Sequence, residues 1–307
     1  MSSPDWDPAR LPAQTGKTFV VTGGNAGIGY FVSEQLARAG GRIILASRSA
    51  GKAEVATESI RRRADGAEVD FVPLDLSSLA SIRLAARGIA SLGPIDVLIN
   101  NAGATSGSRR RQVTEDGLEY VVGSNAFGPY ALTALAFPSL KPDARVVSLG
   151  SMATRMVKLD SADLQSTRRF NFFRAYGFSK HAMHAFAFEL QRKLTASGSA
   201  IESLLAHPGS AVDLLSERRV GINDGRVSAL DLLSAIISQG KDAGAWPIVR
   251  AAIDPDARGG EFYGPHRSVR GRPVVLAPVA SSASEEFGAE FWRQAEAATG
   301  IRFEPGR

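Results

Sequence analysis

Cysteine is absent from this chain of 307 residues. Disulfide bridges, thiolate metal sites and thiol nucleophiles are therefore excluded. The absence is compatible with a reducing compartment. Long apolar runs are missing too, and no stretch has the ~20 apolar residues needed to span a bilayer. The opening stretch, Met1 to Thr15, is polar and proline-rich, with no apolar run of the secretory type. Residues 1–14 read as an arm, and 15–307 as a single domain. No internal repeat, low-complexity block or His/carboxylate spacing of metal-ligand type occurs, so no metal is expected. These features predict a cytoplasmic protein without a membrane span.

What is present fits a globular protein with a sizeable core: 44% hydrophobic residues, 22% charged residues and 31 glycines. The net charge of +5 raises the question of nucleic acid. The basic clusters are Arg61-Arg62-Arg63, Arg109-Arg110-Arg111 and Arg168-Arg169. They are short, scattered and not interleaved with aromatics, unlike a nucleic-acid stripe, so no nucleic-acid partner is expected. A positive field also suits a phosphorylated small molecule.

Strand-like runs alternate with helical ones, the pattern of a parallel sheet wrapped in helices. Thr18 to Thr22 leads into Gly23-Gly24-Asn25-Ala26-Gly27-Ile28-Gly29, and a helical pattern follows from Tyr30. Strand, glycine-rich turn and helix in that order form a cradle for a pyrophosphate. Gly23, Asn25, Ala26, Gly27, Ile28 and Gly29 are the candidate contacts.

A second strand, Arg42 to Ala46, ends in Ser47-Arg48-Ser49, where dinucleotide folds test the adenosine ribose. No carboxylate lies between Gly29 and Glu54 except Glu34, inside the first helix. Arg48 offers a planar fork suited to a 2′-phosphate, with Ser47 beside it. NADP(H) is favoured over NAD(H) on this ground. A third strand, Glu68 to Pro73, closes in Leu74-Asp75-Leu76. Asp75 is placed either to accept from an adenine amino group or to cap the next helix. A fourth, Ile95 to Ile99, runs into Asn100-Asn101-Ala102-Gly103, small and amide residues that suit a close approach to a ligand or a plain turn.

Further on, Tyr176 and Lys180 stand four residues apart and so share one face of a helix. A phenol holds its proton up to a pKa of about 10, and a neighbouring cation favours the phenolate, as acid–base chemistry near neutrality requires.

Four elements in fixed order, Thr22-Gly23-x-x-x-Gly27-x-Gly29, Asn100-Asn101-Ala102-Gly103, a later serine and Tyr176-x-x-x-Lys180, resemble the short-chain dehydrogenase/reductase family across about residues 15 to 300. Thr114 to Glu119, Ala206-His207-Pro208-Gly209 and Gly260 to Pro265 are similar to its retinol-dehydrogenase-like branch. The resemblance implies a doubly wound α/β Rossmann fold with a seven-stranded, mainly parallel sheet and helices on both faces. It implies Tyr176 as general acid/base, Lys180 on the nicotinamide ribose, Ser151 on the substrate oxygen and Asn125 supporting a water relay to the lysine. Ser148 is a rival to Ser151 but lies within the strand run. Asn101, Ala102, Gly103, Pro208 and Gly209 join the cofactor set, as does Leu76. One departure stands out: many relatives carry a threonine where this chain has Asp213, four residues after Gly209. That carboxylate would oppose the cofactor phosphates, so either Ser210 takes the role or the loop is shifted.

The insert between Ser151 and Tyr176 holds Met152, Met156, Val157, Leu159, Phe170, Phe172 and Phe173. It reads equally as an apolar wall for substrate or as packing beneath the Tyr176 helix. Residues about 210–250, with a helical run from Val227 to Ser238, read as a cover over the substrate. A seventh strand, Pro273 to Ala277, and a helix from about Ser284 to Thr299 close the domain. His181 and His184 read as packing residues or proton shuttles. The expected function is hydride transfer between a nicotinamide and a small carbonyl or alcohol substrate of apolar character. A non-catalytic dinucleotide sensor is the alternative. The family commonly forms homodimers or homotetramers.

Overall fold

The computed structural model describes residues 6–224, 232 and 235–305. Among the described residues ten strands form: β1 (Thr18–Thr22), β2 (Arg42–Ser47), β3 (Val69–Pro73), β4 (Ile95–Asn100), β5 (Leu140–Leu149), β6 (Glu202–Ala206), β7 (Ala211–Val212), β8 (Gln239–Gly240), β9 (Phe262–Pro265) and β10 (Pro273–Val275). Eight join one sheet in the order β10-β9-β6-β5-β4-β1-β2-β3. Every pairing in it is parallel except β9 with β10. The remaining two, β7 and β8, pair separately.

The sheet has eight strands where seven were expected. The addition is β9, whose Phe262 and Tyr263 align with Leu205 and Ala206 of β6. Its four residues include a glycine and a proline and show no alternation, so tertiary pairing rather than local propensity makes it a strand.

The helices that position the site are α1 (Gly27–Arg38), α2 (Ala50–Arg61), α3 (Leu79–Ser91), α4 (Tyr120–Val122), α5 (Gly128–Ala136), α6 (Ala153–Met156) and α7 (Phe172–Ala196). A π-helical turn, Gly123–Phe127, joins α4 to α5. Both faces of the sheet are covered. Along β1, Phe19 and Val21 pack with α1 and with Trp246–Ile253, whereas Val20 packs with α3 and α5. This alternation is the pleat of a strand buried on two sides.

A third cluster lies around α7. Tyr130 meets Trp292 edge to face at 5.2 Å, and Trp292 stacks on Phe303 at 5.2 Å. The Tyr130 hydroxyl donates to the carbonyl of Ile301 at 3.2 Å. Phe287, Phe291 and Trp292, on the helix Glu285–Thr299, anchor that helix here. In the N-terminal arm, Trp6 is buried, with the Arg250 guanidinium 6.0 Å from its ring. Most of the expected helical run Val227 to Ser238 lies outside the described residues, as do residues 1–5.

Candidate active site

The carboxyl ends of β1, β2, β4 and β5 open onto one cavity of about 800 Å³. Strand order reverses between β1 and β4, the position at which open α/β sheets leave a crevice. Gly23, Asn25, Ala26, Gly27, Ile28 and Gly29 line it, with Ser47, Arg48, Asp75, Leu76, Asn101, Ala102, Gly103, Pro208 and Gly209. Tyr176 and Lys180 line the same space.

The glycine turn is shaped by necessity. Gly23 and Gly27 have φ of 65° and 56°, a region that penalises side chains. A β-carbon on Gly29 would stand 2.4 Å from Asn101 Nδ2 and from the Gly23 carbonyl oxygen. Above Gly27, by contrast, a β-carbon would meet nothing nearer than Lys241 Nζ at 3.9 Å, so that side is open. Helix α1 starts at Gly27 with no side-chain cap and no carboxylate in its first turn. Its first N–H groups therefore lack a side-chain acceptor, and a helix start of this kind favours negative charge.

Thr22 fixes the floor. Its Oγ1 accepts from the amides of Asn101 (2.9 Å) and Ala102 (3.0 Å), and Asn101 Nδ2 donates to the Thr22 carbonyl at 2.8 Å. At the end of β2, Ser47 Oγ is buried without a partner. Arg48 is exposed and pairs with no carboxylate among the described residues. Ser49 and Lys52, which the sequence reading did not single out, line the cavity beside them. Asp75 does not cap α3, since Ser78 does; its Oδ1 accepts from the Ser77 amide (2.9 Å) and hydroxyl (2.7 Å).

At the other end α7 presents Tyr176, whose hydroxyl makes no hydrogen bond to another described residue. Lys180 is buried; its Nζ donates to the Leu149 carbonyl at 2.9 Å and lies 5.7 Å from the centre of the Tyr176 ring. Asn125 lies behind the cavity rather than in it. The π-helical turn points its amide at Ala104, accepting from that N–H at 2.6 Å and donating to that carbonyl at 3.1 Å. Its Nδ2 also donates to Ser179 Oγ, which in turn donates to the Tyr176 carbonyl.

Ser151 follows Gly150 at the rim and is not among the lining residues. Its Oγ accepts from the Ala153 amide at 3.1 Å, which leaves the hydroxyl proton free to donate elsewhere. Ser148, the rival, is fully buried. Behind Ser151, His184 Nε2 accepts the Ser151 amide at 3.3 Å. Burial holds that imidazole well below the usual histidine range, with His181, Lys180 and His207 nearby adding to the effect. It is a neutral acceptor. His181 bonds Ser282 Oγ (2.6 Å) and the Val157 carbonyl (2.7 Å), so both histidines are engaged in packing.

Part of the 152–173 insert packs beneath α7, and none of it lines the cavity. Val157 and Leu164 are buried beneath α7, whereas Met156 and Phe173 are exposed. Phe172 stacks on Tyr176 at 6.4 Å.

Residues 17–212 match the family model described as short chain dehydrogenase. The chain belongs to the short-chain dehydrogenase family. Within it, the relatives are of the retinol-dehydrogenase-like branch. Human retinol dehydrogenase 13 is 35% identical over 295 residues, covering 93% of this chain and 85% of that one. Mouse polyprenol dehydrogenase is 37% identical over 262 residues, 83% of this chain and 77% of its own. A solved structure of an uncharacterised protein from Mycobacterium paratuberculosis superposes with a TM-score of 0.79 at 33% identity, over 97% of this chain and 98% of that one. As a short-chain dehydrogenase, the protein is an oxidoreductase whose family binds nicotinamide dinucleotides, in keeping with the open glycine cradle and the uncapped α1.

Proposed function

We propose that the protein is an NADP(H)-dependent oxidoreductase that interconverts an apolar carbonyl compound and its alcohol. The observation that carries this reading is that Tyr176 and Lys180 face the cavity floored by the Gly23–Gly29 turn. Gly23 to Gly29 and the α1 amides would hold the pyrophosphate, and Ser47, Arg48, Ser49 and Lys52 the 2′-phosphate. When bound, the nicotinamide would supply or accept the hydride.

The chain's own work is at the oxygen. In reduction, negative charge gathers on the carbonyl oxygen, and the hydroxyls of Tyr176 and Ser151 donate to it more strongly in the transition state than before. Tyr176 then gives its proton to form the alcohol. The buried Lys180 ammonium stabilises the phenolate that remains. Asn125 positions the loop after β4 and, through Ser179, the helix bearing Tyr176. Phe172 supplies an apolar wall beside Tyr176, consistent with relatives named for retinol and polyprenol, and Ala211 and Lys241 line the cavity from the segment after β6.

Steady NADPH oxidation against a panel of aldehydes and ketones tests this. Tyr176→Phe should lower kcat by at least ~10²-fold, with cofactor binding retained. A Tyr176→Phe variant of full activity overturns the assignment.

A further inference from the structure

The Asp213 carboxylate lies two residues beyond Ala211, which lines the cavity, and an uncompensated negative charge there would repel a dinucleotide. The structure supplies the compensation. Lys241 Nζ pairs with Asp213 Oδ2 at 2.5 Å, and Lys241 lines the cavity. The same ammonium is the nearest atom to the open side of Gly27. One cation thus lies between the aspartate and the bare amino end of α1.

Its placement is built. Asp213 follows β7 and Lys241 follows β8, and these two strands pair with Val212 opposite Gly240. The Lys241 amide donates to Ser216 Oγ at 2.7 Å, and Gln35 of α1 donates to the Asp242 carbonyl at 2.8 Å. The backbone carrying the lysine is therefore tied to the helix whose amino end it overlooks. A pyrophosphate at that end would meet an ammonium already held over it. The side chain is partly exposed and flexible, so it can turn from one anion to another.

We infer that Lys241 is a pyrophosphate ligand, and that Asp213 holds its ammonium at the cavity and competes with the cofactor for it. This rests on the dinucleotide reading of the cavity and adds a cation from the covering segment to the glycine turn. The residue acts on the diphosphate shared by both nicotinamide dinucleotides, so it sets affinity and residence time and not the choice between them.

The test is titration of the purified protein with NADPH, NADH and 2′-AMP, which has a 2′-phosphate but no diphosphate. Lys241→Met keeps the aliphatic stem. It should weaken NADPH and NADH by a similar factor of about ten, leave 2′-AMP unchanged, and lose less in high salt. Lys241→Arg should restore most of the binding. Asp213→Asn should bind both dinucleotides more tightly than wild type. Unchanged affinity in Lys241→Met, equal loss of 2′-AMP, or weakened binding in Asp213→Asn would overturn the assignment. Wild-type protein that binds neither dinucleotide would instead overturn the cofactor reading itself.

Discussion

Arg219 reaches Glu34 across 185 residues of chain, with Nε 2.6 Å and Nη2 2.7 Å from the two carboxylate oxygens, and both side chains are buried. The Tyr30 hydroxyl donates to the same carboxylate at 2.8 Å. The loop after β7 is thereby fastened to α1, the helix that follows the glycine turn. Burial alone would raise the Glu34 carboxyl, but the guanidinium and the phenol outweigh it and hold it below the ordinary range. Arg219→Met leaves a buried carboxylate without its cation and should cost roughly 3–5 kcal/mol in denaturant unfolding. Adding Glu34→Leu should recover part of that loss, because an apolar pair strands no charge.

Arg48 should decide cofactor choice. Removing a charge-assisted contact to the 2′-phosphate in Arg48→Ala should weaken NADPH by ~10–100-fold and leave NADH nearly unchanged. Equal losses for the two, measured by fluorescence titration, would place the arginine away from that phosphate.

Gly177 tests the packing beneath α7. A β-carbon there would lie 2.5 Å from Val157 Cβ. Gly177→Ala should therefore destabilise by about 1–3 kcal/mol despite the better helix propensity of alanine. Trimming the neighbour in Gly177→Ala/Val157→Ala should restore the thermal midpoint toward wild type.

Acid should destabilise the protein through its buried histidines. Burial, with Arg155 adding to it, pushes the His207 imidazole down to about 4, from the ordinary 6.5. His184 is held well below 6.5 as well. Both are neutral in the folded state and charge readily once unfolded. The unfolded chain thus binds more protons below pH 6.5, and stability falls as pH drops from about 6.5 toward 4. A thermal midpoint that stays level from pH 7 to 5 would contradict this.

The cradle was legible because its chemistry is local: Gly23, Gly27 and Gly29 lie in one turn, and their spacing survives any tertiary context. Tyr176 and Lys180 were legible for the same reason, as one helical turn. Lys241 was not, since nothing near it in sequence shows that β8 pairs with β7 and carries it to Asp213. The mismatch at Asp213 was the available signal, because a carboxylate beside phosphates demands a cation from somewhere. Asn125 was found by motif, yet the π-helical turn that aims it at Ala104 has no mark in Gly123-Ser124-Asn125-Ala126-Phe127. β9 escaped for a related reason: its partner in β6 is almost sixty residues upstream.

The bond from the Tyr130 hydroxyl to the Ile301 carbonyl, with Phe303 laid on Trp292, makes residues 301–303 a plug rather than loose chain. A stop codon at Gly300 would spare every group lining the cavity, yet it would bare a cluster of rings to water. Such a product should be sticky and short-lived, so a lesion far from the chemistry would act through loss of the protein rather than loss of the reaction.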